Sequence, residues 1–303
     1  MTLTLAYQWA TRFPEAKAVG EKAEAVKLDS FTTHRVLHNI ALMEGDQTSA
    51  QRERDWSNGN PLEGLMIHQD AEYLMSLGRV REARELFDHA RATALEKQPK
   101  ELAGSLAQDQ AQYEADLGFS REARTLSDTA LGMMPHFSDR KAFTALALAR
   151  AGDLRRAVAL ADETEKAAPS NLLNKVTLAC VRASVQMKKN KPADALAELQ
   201  SAVPYDFSDP SKGVTIYYRG YAFLQMHSGK EAAAEFQKLL DNRGPTDFLY
   251  WPLAHLGLAR AYALTGDNEK SLAAYREFIE LWKDADPDVP ILKQAKAEYA
   301  KLQ

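Results

Sequence analysis

A single cysteine, Cys180, stands in 303 residues, so an intramolecular disulfide is excluded and a reducing compartment suits the chain. Charge of one sign is lacking too. The 38 basic and 42 acidic residues leave a net charge of −4, without the basic excess that nucleic-acid binding usually shows. Nucleic acid is therefore not expected as a partner of the chain by itself. No run approaches the roughly 18–20 apolar residues of a membrane span. Met1-Thr2-Leu3-Thr4-Leu5 carries no basic stretch ahead of an apolar one, so neither a signal peptide nor a membrane is expected and the expected location is cytoplasmic. With 12 prolines and 15 glycines, extensive disorder is not expected either. No two glycines stand at Gly-x-Gly spacing, and neither a Gly-x-x-x-x-Gly-Lys-Ser/Thr loop nor a Gly-x-Ser-x-Gly elbow occurs. No catalytic residue, cofactor or metal is expected, and the chain reads as a non-enzyme.

What the chain does have is a repeat. Gly118 and Gly152 lie 34 residues apart, and the pairs Ala123/Ala157 and Pro135/Pro169 keep the same step. A turn glycine, a small residue five positions on and a closing proline, at a 34-residue period, resemble the tetratricopeptide repeat (TPR), a helix–turn–helix unit. The resemblance implies an all-α fold, a right-handed superhelical TPR solenoid of about seven to eight repeats. Units fall at approximately 1–29 (partial), 30–61, 62–99, 100–136, 137–170, 171–204, 211–244 and 247–286, with a capping helix over 288–303. Asn190 replaces the turn glycine in the sixth unit, as the residue after glycine that best tolerates a left-handed backbone. In the seventh unit Gly229 is the expected turn. Leu292, Ala295, Tyr299 and Leu302 form one stripe of the last helix, with Lys293, Lys296 and Glu298 off it.

A closer likeness lies in the tail. Leu256 to Asp267 and Leu281 to Tyr299, with Glu235 to Asp241 and Leu28 to Phe31, resemble the C-terminal TPR half of bacterial eukaryotic-type serine/threonine protein kinases. Related halves follow winged-helix regulators. The kinase itself is absent: no glycine-rich loop and no His-Arg-Asp stretch occur, and Asp206-Phe207-Ser208 lacks the final glycine of the metal-binding motif. The likeness implies a protein–protein interaction scaffold or, alternatively, the sensory or substrate-recruiting half of a serine/threonine kinase or winged-helix regulator, with a stand-alone enzyme as the lesser alternative. The short first unit suits a shortened start or a piece of something longer, and its exposed face suits self-association.

In TPR arrays the first helix of each unit lines the concave groove. Counting back from the turns gives Arg35 and Asn39, His68 and Glu72, Gln108 and Gln112, Ser184, Tyr217 and Tyr221, and Arg260 as candidate contacts for a protein or peptide partner. Leu146, Arg150 and Cys180 fall on the same face. Arg35 and Asn39 match the first places of a peptide-carboxylate clamp, whereas Ser105 and Asp109 do not match the later ones. Tyr217 and Tyr221, one turn apart, are the strongest pair, because aromatic rings give apolar area at small entropic cost. His34 and His38 have the i, i+4 spacing of metal ligands but no glutamate beside them in sequence, so packing is the expected role.

Overall fold

The computed structural model describes residues 2–137, 140–168, 171–208 and 211–303. Among the described residues there are seventeen α-helices and no strand. They are α1 (Leu3–Trp9), α2 (Phe13–Ala25), α3 (Phe31–Glu44), α4 (Gln47–Trp56), α5 (Glu63–Ser76), α6 (Val80–Lys97), α7 (Lys100–Leu117), α8 (Ser120–Met133) and α9 (Lys141–Arg150). They continue with α10 (Leu154–Ala167), α11 (Leu172–Lys188), α12 (Pro192–Leu199), α13 (Val214–Gln225), α14 (Gly229–Asp241), α15 (Tyr250–Thr265), α16 (Asn268–Leu281) and α17 (Pro290–Ala300). A 3₁₀ stretch, Gln200–Tyr205, follows α12. Pro169 and Pro210 lie outside the described residues.

Consecutive helices pair as hairpins from α1/α2 to α15/α16, and α17 closes on α16. The first helices stack in series, α1 on α3, α3 on α5 and onward to α15, so they form one continuous wall. The expected all-α repeat array is thus present.

One backbone device makes every hairpin. Each reversal passes through one left-handed residue: Thr11 (φ 56°), Gly45 (75°), Gly78 (74°), Gly118 (97°), Gly152 (82°), Asn190 (57°), His227 (56°) and Gly266 (77°). The amide that follows bonds back five residues, as in Asp153 to the Leu148 carbonyl at 2.9 Å and Ser228 to the Phe223 carbonyl at 2.9 Å. This satisfies the orphan carbonyls at the helix end. Five residues after each turn comes a small side chain: Ala16, Ala50, Ala83, Ala123, Ala157, Ala195, Ala232 and Ser271, all buried. A larger side chain there would hold the two helices apart. Ser271 fits because its hydroxyl donates to the Ala259 carbonyl at 2.8 Å.

The seventh turn differs from expectation. His227, not Gly229, takes the left-handed place. Gly229 begins α14, where a Cβ would lie 2.6 Å from the Ala261 carbonyl oxygen, so glycine is needed for close packing.

The array also curls onto itself. The Trp282 indole donates to the Ser76 carbonyl at 2.9 Å. The Asp286 amide donates to the Gly78 carbonyl at 2.9 Å. Gln8 Nε2 reaches the Gly244 carbonyl at 3.4 Å. Tyr113 and Tyr250 donate to Asp247 and Asp116 at 2.8 and 2.9 Å, each across 134 residues. The connection between the seventh and eighth hairpins therefore sits against the wall of first helices and divides the interior into cavities.

Candidate functional site

Among the described residues, three cavities gather the sequence-derived first-helix candidates. One, about 120 Å³, lies between α1, α3, α5 and residues 244–248, and includes Arg35, Asn39 and Glu72. The central one, about 260 Å³, is lined by Glu72, Asp109, Gln112, Asp116, Asp247 and Tyr250 among others. The third, about 270 Å³, is walled by Asp116, Arg150, Ser184, Lys188, Tyr217, Tyr221, Gln225 and Arg260, with Pro290 to Gln294 at its edge. Eight of the ten sequence-derived candidates thus reach a cavity: Arg35 and Asn39 together, Glu72 and Gln112 together, and Ser184, Tyr217, Tyr221 and Arg260 together.

Gln108 does not. Its Nε2 donates to the Arg140 carbonyl at 2.7 Å and to Thr144 Oγ1 at 2.6 Å, and the buried side chain ties α7 to α9. His68 is buried behind Glu72 and packs its ring 5.0 Å from Phe87.

The third cavity has the most developed chemistry. Arg150 and Asp116 pair at 2.6 Å with side chains 4% and 6% exposed. Asp116 also accepts from Tyr250 at 2.9 Å and Tyr218 at 3.4 Å. Burial raises the Asp116 pKa, opposed by Arg150. Burial works against the Arg150 charge, but Asp116 and Tyr250 outweigh it and its pKa rises. Arg150 stacks over the Tyr218 ring at 4.5 Å. With Nη1 on Asp116, its Nε and Nη2 have no hydrogen-bond partner among the described residues, and neither does Gln225 Oε1. Buried donors in this state cost about 1–3 kcal/mol each unless a partner arrives.

Tyr217 is buried, its ring 4.9 Å from Tyr250 and 5.9 Å from Phe236. Burial raises its hydroxyl pKa. Tyr221 stacks on it at 6.5 Å and is 37% exposed at the cavity mouth. Ser184 spends its hydroxyl hydrogen on the Cys180 carbonyl, leaving the oxygen to accept. Arg260 is held by Glu298 of α17 at 2.8 and 3.1 Å, so it joins the last helix to the wall. The Cys180 thiol is pushed up to about 12 by burial and is inert.

Sequence reasoning left Asp116, Lys188 and Gln225 out. With Arg150, each stands two residues before a left-handed turn residue, namely Gly118, Asn190, His227 and Gly152. That register was the signal. The walls supplied by α17 and residues 244–249 carried none, because they meet the first helices only through the curl.

His34 is flanked by carboxylates after all. Its Nδ1 lies 2.6 Å from Glu53 and its Nε2 3.0 Å from Asp29, and its ring stacks on Trp56. Each ring nitrogen thus has a carboxylate at hydrogen-bond distance, and Glu24, His34 and Glu53 bring ligand-type atoms within 4.8 Å of one another.

A tetratricopeptide repeat family model matches residues 217–290. No curated protein matches the chain. Among solved structures, a tetratricopeptide repeat protein from Parabacteroides merdae ATCC 43184 is 13% identical, with a TM-score of 0.50 over 90% of this chain and 98% of that one. The TPR domain of P58(IPK) is 12% identical, with a TM-score of 0.35 over 99% of this chain and 96% of that one. Among the described residues, no helix is long and apolar enough to cross a membrane. The repeated turn geometry, the motif over residues 217–290 and the fold shared with the Parabacteroides merdae protein make this chain, by fold, an all-α TPR solenoid.

Proposed function

We propose that the chain is a non-catalytic protein–protein interaction scaffold whose third cavity receives an acidic group of a partner segment. One observation carries the reading: Arg150 keeps two buried N–H groups without partners among the described residues, and its side chain lines the cavity together with the exposed Lys188 and Tyr221. A carboxylate there would complete the guanidinium's bonding, and a charge-assisted hydrogen bond is about twice as strong as a neutral one. Tyr221 would cover the adjoining residue of the segment with an aromatic face. Rigid first helices present this surface preformed, which lowers the ordering cost of binding. Arg35, Asn39, Glu72 and Gln112 line the neighbouring cavities and would bear on a longer segment, whereas Gln108 and His68 would act through packing. Self-association belongs to the same reading at the first hairpin, where Leu3, Val26 and Leu28 are exposed.

The test is a photo-crosslinker in place of Tyr221, with a second at Val158, an exposed residue of α10, as control. In native extract the reading expects an adduct from position 221 that Arg150→Gln abolishes. Equal labelling from both positions, or labelling indifferent to Arg150→Gln, would contradict it.

A further inference from the structure

Three histidines of α3 and α5 are buried, and their nitrogens are differently employed. Both nitrogens of His34 face carboxylates, as above. His38 Nδ1 lies 2.9 Å from the Ala50 carbonyl oxygen and Nε2 2.9 Å from Asp70 Oδ1. His68, 5% exposed, has a hydrogen-bond partner on neither nitrogen among the described residues. A buried imidazole rarely stays so, because each unmet polar atom keeps its desolvation cost.

The His68 Nε2 atom nonetheless faces two oxygens. Glu72 Oε1 lies 3.4 Å away and Asp109 Oδ2 3.8 Å away. The three atoms all lie within 4.8 Å of one another. Residues 68 and 72 share a face of α5 through their i, i+4 spacing, and Asp109 comes from the next first helix, α7. Zinc-class ions bind nitrogen and oxygen at about 2.0–2.2 Å, so tetrahedral ligand atoms stand roughly 3.4 Å apart. The observed separations need only small side-chain adjustments to meet that. On the open side, Glu72 and Asp109 line the 260 Å³ central cavity, where water could complete the coordination. Asp247 lines the same cavity, and Lys212 and Arg140 also reach it, so an incoming cation must compete with two side-chain cations.

We infer that His68, Glu72 and Asp109 form a binding site for a divalent transition-metal ion of the zinc class. One imidazole with two carboxylates suits zinc, manganese, cobalt or ferrous iron, and the imidazole disfavours calcium and magnesium. The ion would sit between His68 Nε2 and the two carboxylates and clamp α5 to α7, the third hairpin to the fourth, at the floor of the central cavity.

The test uses the full chain, stripped with a chelator, dialysed and titrated with zinc chloride by calorimetry. In parallel, cobalt chloride is followed through its visible ligand-field absorption. The inference expects one zinc per chain and a cobalt band. His68→Gln, Glu72→Gln and Asp109→Asn should each weaken binding at least about tenfold, and His34→Gln should leave it unchanged. Circular dichroism checks the fold of each variant. Should His68→Gln fail to fold, Asp109→Asn decides, since that side chain is 41% exposed and contributes little packing. Absence of zinc binding would mean that the cluster is an ion pair only. Binding with equal affinity in Glu72→Gln and Asp109→Asn would place the ion elsewhere. Either result overturns the site.

Discussion

The indole N–H of Trp282 donates to the backbone carbonyl of Ser76 at 2.9 Å, joining positions 206 residues apart. Trp282 is 1% exposed and packs against Phe278, and its ring lies where a Cβ on Gly78 would meet it at 2.9 Å. This contact closes the eighth hairpin onto the third. Trp282→Phe keeps most of the packing and loses the hydrogen bond, for an expected cost of about 1 kcal/mol. Trp282→Ala adds a cavity and should cost about 3–5 kcal/mol. Urea denaturation of both variants checks the ordering, and equal losses would mean that the indole N–H contributes nothing measurable.

A second prediction concerns the seventh turn. His227 holds a left-handed backbone that costs a non-glycine residue roughly 1 kcal/mol or more. His227→Gly should therefore raise the unfolding free energy by about 0.5–1 kcal/mol, and His227→Val should lower it. The sign of the glycine variant in urea denaturation is the critical readout.

A third concerns a buried ion cluster. Arg219 donates to Asp206 at 2.6 and 2.8 Å and to Glu235 at 2.8 and 3.0 Å, with its side chain 8% exposed. Arg219→Met leaves Asp206 and Glu235 without their shared cation; among the described residues, Glu235 keeps only Lys238 at 2.6 Å and Asp206 only the Thr215 hydroxyl at 2.6 Å. A loss of about 3–5 kcal/mol is expected. A loss below about 1 kcal/mol would show that the carboxylates find other partners.

The fourth is a pH dependence. Burial, with Glu72 adding to it, raises the Asp247 pKa to about 6. A carboxyl whose folded pKa exceeds its unfolded value near 3.8 binds its proton more tightly in the folded chain. Its contribution is full below about pH 4 and is lost as pH rises through about 6. Asp247→Asn keeps an acceptor for Tyr113 and cannot ionise. Its stability relative to the unaltered chain should improve by about 1–2 kcal/mol between pH 4 and pH 7.5. Thermal unfolding at the two pH values measures this, and a difference independent of pH would count against a raised Asp247.

The repeat was legible because the turn chemistry and the buried alanine recur at fixed offsets. The seventh turn was missed because Gly229 is a conspicuous glycine two residues too late, whereas counting five back from Ala232 reaches His227. The candidate site was legible on one side only. Helical periodicity places Tyr217, Tyr221, Ser184 and Arg260 on a shared wall, and the structure gathers them around one cavity. What faces them depends on how far the array curls. The approach of Pro290 to Gly118, or of Asp247 to Tyr113, has no local signature. The meeting of His68 with Asp109 is likewise a property of two stacked helices, not of either alone.

The measurement that tests the central claim most directly is peptide selection followed by anisotropy. Peptides selected from a random library on the intact chain are synthesised with a fluorophore and titrated against the unaltered chain, Arg150→Gln and Tyr221→Ala. The account predicts that the selected peptides share an acidic residue and that each variant weakens binding at least about tenfold, roughly 1.4 kcal/mol or more. Peptides without a common acid, bound equally by Arg150→Gln, would contradict it.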